Sequence, residues 1–293
     1  MSSRILIIGG AGMLGSDVVI EATRRGHQVT APTSQELDIT DPLAVGELAM
    51  EPGKFDWCIN CAAYTAVDLA ETNQQAAYEL NALAPGYLSN ACSMAGIKVI
   101  HISTDFVFDG NSDVPYSEED PTHPLGVYGL TKRDGELAVF GGNTNAIVVR
   151  TSWLYGLHGK CFPKTMISAW QSGRKLKVVA DQTGCPTSTV DLARVLIDLV
   201  DRNAFPGIYH ATGPDETTWH AFAVAAVEAW KQKTGSDVET DIASIPTADY
   251  PTPAKRPHYS VLSNDKLRSL GIAPMRPLAE ALQTYVDQFN LTV

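Results

Sequence analysis

The sequence predicts an α/β fold: a Rossmann-like, doubly wound parallel sheet with a smaller α/β substrate-binding lobe. Three observations carry this. A short, continuously apolar run, Ile5-Leu6-Ile7-Ile8, leads straight into the glycine loop Gly9-Gly10-Ala11-Gly12-Met13-Leu14-Gly15. Strand-like and helix-like stretches then alternate through the first ~155 residues. After Gly156 the alternation loosens, and prolines gather between Pro246 and Pro257. The expected division is a dinucleotide-binding domain over 1–153, with elements returning to it at about 190–217, and a lobe built from 154–189 and 218–293.

The elements follow in order. The run at 5–8 is apolar at every position, the mark of a strand covered on both faces. A helix follows from Asp17 to Arg25, and Val29-Thr30 end a second strand. Gly9, Gly12 and Gly15 let the intervening turn close and bring backbone amides to an anion at the helix N-terminus, so the loop reads as a pyrophosphate cradle. Leu37-Asp38-Ile39-Thr40 precedes Asp41-Pro42, and Thr40 or Asp41 fits a helix N-cap with Pro42 in the first turn. Asp56 to Ala63 reads as a buried strand ending in small residues. A long helical pattern covers about 74–95, and Val99 to Ser103 is the next strand, with Thr104-Asp105 at its carboxyl end, where ligands sit in open parallel sheets. His101, inside that strand, reads as a core histidine. A helix begins near Val127, Ala146 to Arg150 is a further strand, and helical patterns recur at 161–172, 190–202, 218–233 and 277–289. Short strands are expected near 176–179 and 207–210.

Charge and cysteine usage narrow the function classes. With a net charge of −11 and no Lys/Arg-rich run, the chain is a poor general binder of nucleic acid or anionic membrane. No apolar segment reaches the ~18–20 residues that span a bilayer, and Arg4, followed at once by a strand, argues against a leader peptide. Cys58 and Cys61 lie three apart in a strand, so they face opposite ways, and the five cysteines read as reduced thiols of a cytoplasmic protein.

The pair with chemistry in it is Tyr128 and Lys132, four apart and so on one helix face. An ammonium fixed beside a phenol lowers its pKa by about 1–3 units, which suits a proton donor at neutral pH. Many surface helices carry this spacing, so it identifies nothing alone. The segment Thr30-Ala31-Pro32-Thr33-Ser34 carries neither a carboxylate to reject a 2′-phosphate nor an arginine to hold one. NADPH is permitted, and nothing in the segment excludes NADH.

Taken with Asn60-Cys61-Ala62-Ala63-Tyr64-Thr65-Ala66-Val67-Asp68, Ser103-Thr104-Asp105-Phe106-Val107-Phe108-Asp109-Gly110, Pro124 to Gly129, Arg150-Thr151-Ser152-Trp153, Asp181-Gln182 with Pro186-Thr187, and Pro251 to Pro257, the chain resembles the extended short-chain dehydrogenase/reductase superfamily. Within it the likeness is to the dTDP-4-dehydrorhamnose reductase family and covers nearly the whole chain. The resemblance implies an enzyme that reduces the C4 keto group of a sugar nucleotide with NADPH or NADH. It implies that Gly9, Gly12, Met13 and Leu14 cradle the pyrophosphate, that Asp38 and Ile39 lie against the adenine, and that Ala62, Ala63 and Tyr64 line the nicotinamide. Thr104, Tyr128 and Lys132 form the implied catalytic set, the last two also touching the cofactor. Asp105, Trp153 and Arg256 are the implied substrate contacts, Arg256 toward the diphosphate.

Two other readings stand beside this one. A sugar-nucleotide dehydratase or epimerase shares the fold, but dehydratases follow the Thr-Asp pair with a glutamate, and here that position is Phe106. A non-catalytic subunit resembling the regulatory subunit of methionine adenosyltransferase keeps a Tyr/Lys pair but departs around the Arg-Thr-Ser-Trp block, where this chain has Trp153. Some relatives dimerise through acidic, metal-binding residues. Val190 and the end Leu291-Thr292-Val293 offer no equivalent, which points to a monomer with no interface metal.

Overall fold

The computed structural model describes residues 2–289; Leu291-Thr292-Val293 lie outside the described residues. Five parallel strands, β1 (Arg4–Ile8), β2 (Gln28–Thr30), β3 (Trp57–Asn60), β4 (Lys98–Thr104) and β5 (Ile147–Thr151), are joined by a sixth, Gly207–His210. Their order across the sheet is Gly207–His210, β5, β4, β3, β1, β2. The chain steps from β1 outward to β2, then returns to β1's other side with β3. The loops after β1 and β3 therefore diverge, leaving a crevice at the carboxyl edge of the sheet.

The apolar run at 5–8 explains the double winding at residue level. Side chains alternate across a strand, so Ile5 and Ile7 enter one core with Ile59, Ile100, Val149 and the buried face of the helix Thr189–Asp201. Leu6 and Ile8 enter a second core with Cys58, Val99, Val148 and Leu88. Helix α1 (Met13–Arg24) packs against Thr189–Asp201 on the first side. The 74–95 pattern forms Gln74–Tyr78 and Ala84–Met94 joined through one wide π turn, Glu79–Leu83. Asp41 is the N-cap of the short helix Pro42–Gly46, accepting from Leu43 N at 2.9 Å.

A third core belongs to the later part of the chain. The helices Phe162–Gln171, Trp219–Thr234 and Leu278–Gln288 bury Trp170, Phe222, Trp230, Tyr285 and Phe289 together. The strand Leu176–Val179 pairs in parallel with Ile242–Ile245, a strand the sequence pattern did not mark because its middle residues are exposed. Among the described residues no helix is long and apolar enough to cross a membrane.

Candidate active site

The glycine loop after β1 has the geometry an anion needs. The N-cap Gly12 carries no side-chain cap and no acidic residue stands in the first turn of α1, so the first amides of the helix are left without a protein acceptor. Gly9 adopts φ +75, and a Cβ there would lie 2.8 Å from Ala62 N, which binds the loop after β1 to the loop after β3. At Gly15 a Cβ would overlap Gly9 O at 2.0 Å, so only glycine lets the helix start this close to the strand. Met13 leans toward the third core, while Leu14 is buried in the first. Ile39 is buried, and exposed Asp38 accepts from Thr40 N and Thr40 Oγ1 at 2.9 and 2.7 Å. The donor set thus fits a dinucleotide.

Across the crevice, β4 ends at Thr104, which is buried and caps the turn Asp105–Val107 by accepting from Phe106 N at 3.2 Å. Its hydroxyl donates to Asp105 Oδ1 at 3.0 Å. Tyr128, in the first turn of the helix Val127–Gly142, is half-buried with its ring edge-on to Phe106, 5.5 Å between centroids. Burial pushes its phenol up to about 12, a Thr104 hydrogen bond opposes this, and the Asp105 charge adds to it.

The expected tuning of Tyr128 by Lys132 is not what the structure holds. Lys132 is 1% exposed, and its ammonium nitrogen donates to Ile102 O at 2.7 Å and lies 3.3 Å from His101 Nε2. The spacing does put both residues on one face. The β4 backbone, however, offers the buried amine a carbonyl, and an unsatisfied buried amine is costlier than an unpaired phenol. Burial pulls Lys132 down to about 8, against an upward pull from Glu136 and then Cys61.

Asp105 is 2% exposed, and burial lifts its carboxyl to about 6, with the nearby Ser260 and Thr104 hydroxyls pulling the other way. Its Oδ2 has no partner among the described residues. Trp153 sits at φ +47, stacked on Trp219 at 3.6 Å and 10°, and a Cβ at Gly184 would meet its ring at 2.6 Å. The indole therefore carries packing as well as any ligand contact. Arg256 is engaged with Asp68, its Nη2 2.9 Å from Oδ2 and its Nη1 3.1 Å from Oδ1. To meet a diphosphate it must share or release that carboxylate.

Sequence reasoning passed over several residues that build this site. Asn81, wholly buried in the π turn, accepts from Tyr64 N at 2.8 Å and donates to Tyr64 O at 3.1 Å and Thr131 Oγ1 at 3.2 Å. Only a lone Asn amid an apolar helical pattern signalled it. Glu136 holds buried Arg150 through two bonds, 2.9 and 2.7 Å, and accepts from Ser103. Glu71 accepts from Val127 N at 2.8 Å, supplying the cap that Gly126 cannot. Small residues let the Tyr128 helix come close: a Cβ on Gly129 would lie 2.1 Å from Phe106 O, and on Gly135 2.0 Å from Asn81 O.

Comparison with known proteins places the chain in a family. The family model described as RmlD substrate binding domain matches residues 3–291. A dTDP-4-dehydrorhamnose reductase of Mycolicibacterium smegmatis is 41% identical over 288 residues, covering 98% of this chain and 86% of the relative. A probable dTDP-4,6-dihydroxy-2-methyloxan-3-one 4-ketoreductase of Streptomyces antibioticus is also 41% identical, covering 96% and 93%. Among solved structures, a dTDP-4-dehydrorhamnose reductase of Bacillus anthracis in complex with NADP superposes with a TM-score of 0.90 at 32% identity, covering 99% of this chain and 100% of that one. With a doubly wound sheet, an uncapped glycine-rich helix start and a Thr–Tyr–Lys cluster at one sheet edge, the chain belongs to the RmlD substrate binding domain family.

Proposed function

We propose that the chain is an oxidoreductase that reduces the C4 keto group of dTDP-4-dehydro-L-rhamnose to give dTDP-L-rhamnose, with NADPH as cofactor and NADH as an allowed substitute. The observation that carries this is Tyr128, protonated and set against Phe106 beside Thr104 at the carboxyl edge of β4. The naming of the Bacillus anthracis relative's NADP complex supports the cofactor.

The bound nicotinamide supplies a hydride to the sugar's C4. The chain's own residues do the rest. Met13 and Leu14 offer free amides to the pyrophosphate beside Gly12, whose own N–H is spent on Gly9 O at 2.9 Å, and Gly9 brings Ala62 close enough for Ala62, Ala63 and Tyr64 to wall the crevice. Tyr128 gives its proton to O4 as charge develops there, breaking its O–H bond as the new O–H forms. The phenol carries its proton at neutral pH, but burial that pushes it up to about 12 also weakens it as an acid, since a donor works best with a pKa near the working pH. Thr104 steadies the developing oxyanion once its hydroxyl hydrogen turns from Asp105 Oδ1 to O4. Phe106, where a dehydratase places an acid, has no proton to move and instead keeps water from the phenol. Lys132 holds a position against Ile102 O at the cofactor side. Asp105, Trp153 and Arg256 are proposed to receive the sugar nucleotide. The reaction is assigned to the cytoplasm and to a monomer, with the lobe boundary at 153–154.

The test is cofactor consumption with the keto-sugar generated in situ, for the wild type and Tyr128→Phe. The variant should lose on the order of 10²–10⁴ in kcat with cofactor affinity little changed; near-normal kcat would remove Tyr128 from its role. The Streptomyces relative, equally similar, supports a second reading in which a different dTDP-4-keto sugar is preferred. Ranking the two sugars by kcat/KM separates them.

A further inference from the structure

Trp153 follows β5 by two residues, and Thr151, the last residue of that strand, lies in register with Thr104. The indole therefore starts from the same sheet edge as the Thr104 hydroxyl. Both of its faces are taken. Trp219 lies parallel to it, with 3.6 Å between centroids and 10° between planes. On the Gly184 side, an added Cβ would meet Cε2 at 2.6 Å, and Cζ2 and Nε1 at 2.8 Å each. Cε2 is recessed between those two atoms, so the approach is over the ring and not along its rim. Two rings this close leave no room between them, and Gly184 must back the face away from Trp219.

One ribbon supplies both walls of this slot. Thr183–Gly184 and Thr217–Thr218 pair antiparallel, with Gly184 opposite Thr217. Thr218 then caps the helix that Trp219 begins, accepting from Ala221 N at 3.2 Å. Phe162 packs edge-on against Trp219, 4.7 Å between centroids. On its other side the ribbon reaches the site: Ser260 N donates to Thr183 O at 2.8 Å, and the Ser260 hydroxyl stands near Asp105. A face-to-face aromatic pair is less favourable than an offset or edge-on one, and Trp153 is held at φ +47 besides. The surroundings, and not the pair's own attraction, impose the sandwich.

What is left of Trp153 is its rim. Both indoles are half-buried, and neither Nε1–H has a protein acceptor among the described residues, whereas buried Trp170 gives its own to Glu239 O at 3.1 Å. We propose that Trp219 is a positioning residue for the reductase site, holding Trp153 against Gly184 so that the indole meets the sugar nucleotide through its Nε1–H and not as a stacking platform. The partner is an oxygen acceptor on the ligand. This rests on Trp153 receiving the sugar nucleotide.

Two substitutions separate the donor from the platform. Trp153→Phe keeps a ring in the slot and removes the N–H, so the KM for the sugar nucleotide should rise about tenfold while the KM for NADPH stays put. An unchanged sugar-nucleotide KM overturns the proposal. Trp219→Ala bares one face and lets the indole tilt, with a similar rise in that KM, and Trp219→Phe should bring it back near the wild-type value. A KM in Trp219→Ala that falls, the sign of a bared face stacking on the ligand, or that does not move, also overturns it.

A readout in the wild type stands apart from any effect of substitution on folding. The indole Nε1–H resonance of Trp153, assigned by its loss in Trp153→Phe, is followed as dTDP-L-rhamnose is added with NADP⁺. It should move downfield and exchange with water at least about tenfold more slowly. Bound ligand with unaltered exchange overturns this proposal alone. No binding of dTDP-L-rhamnose overturns the reductase reading together with it.

Discussion

Burial against the Phe106 ring keeps the Tyr128 phenol protonated across the neutral range, and Thr104 stands beside it with its own hydroxyl tied to Asp105. Asp105 is the costly member of this group. Its folded-state pKa, about 6, lies above the ordinary 3.8, so the fold binds that proton more tightly than the unfolded chain does. The penalty for ionising it is absent below about pH 4, grows to about pH 6, and is full above, on the order of 2–3 kcal/mol. Asp105→Asn should therefore melt higher than the wild type, with the gain growing between pH 4 and 6 and level beyond. The same variant should raise the KM for the sugar nucleotide about tenfold if Asp105 receives substrate. Melting curves across pH that stay parallel would remove the burial account. At this scale the sequence offered Tyr128 by its spacing to Lys132 and Thr104 by its place at a strand's carboxyl end, while their roles came only from the resemblance. It could not display Lys132's partners, because spacing along a helix says which residues share a face and nothing about the strand carbonyl waiting opposite.

The helix Val127–Gly142 places its pair accurately because two glycines let it touch its neighbours. Gly129→Ala would push a methyl to 2.1 Å from Phe106 O, a backbone atom that cannot swing away. The helix must shift, carrying Tyr128 with it, so kcat should fall at least about a hundredfold. Stability should fall by about 1–3 kcal/mol. A fully active, equally stable variant would show the contact to be soft. Trp153 behaves differently. Its strained φ of +47 and its stack on Trp219 mean that Trp153→Ala should lower melting temperature along with kcat/KM; a loss of kcat/KM alone would place the indole's whole role on the ligand. Strands and long helices were legible from apolar periodicity. The π turn that points Asn81 at Tyr64 was not, since it shifts the apolar face within a single turn, too short a stretch for periodicity to register.

Across the whole molecule, the sheet's return strand Gly207–His210 and the helix Thr189–Asp201 lock onto the first half, while three later helices build a separate aromatic core. The Asp68–Arg256 pair ties the segment after β3 to the proline-rich stretch, joining residues 188 apart in sequence. Asp68→Asn leaves the guanidinium a neutral partner, so the KM for the sugar nucleotide should fall if Arg256 serves the diphosphate, and rise if the bridge only holds the lobe in place. The alternation of elements and the blocks around Thr104 and Tyr128 were readable from sequence. Pairing across 188 residues was not, because no local pattern encodes it.

The chemistry proposed for this chain joins hydride delivery to C4 with proton delivery by Tyr128. Turnover of the dTDP-4-keto sugar with NADPH carrying deuterium at the transferred position of its nicotinamide C4, followed by NMR of the sugar product, tests it most directly. Deuterium bound to C4 of dTDP-L-rhamnose is the predicted result. Unlabelled C4, or intact cofactor binding with no product, would contradict it.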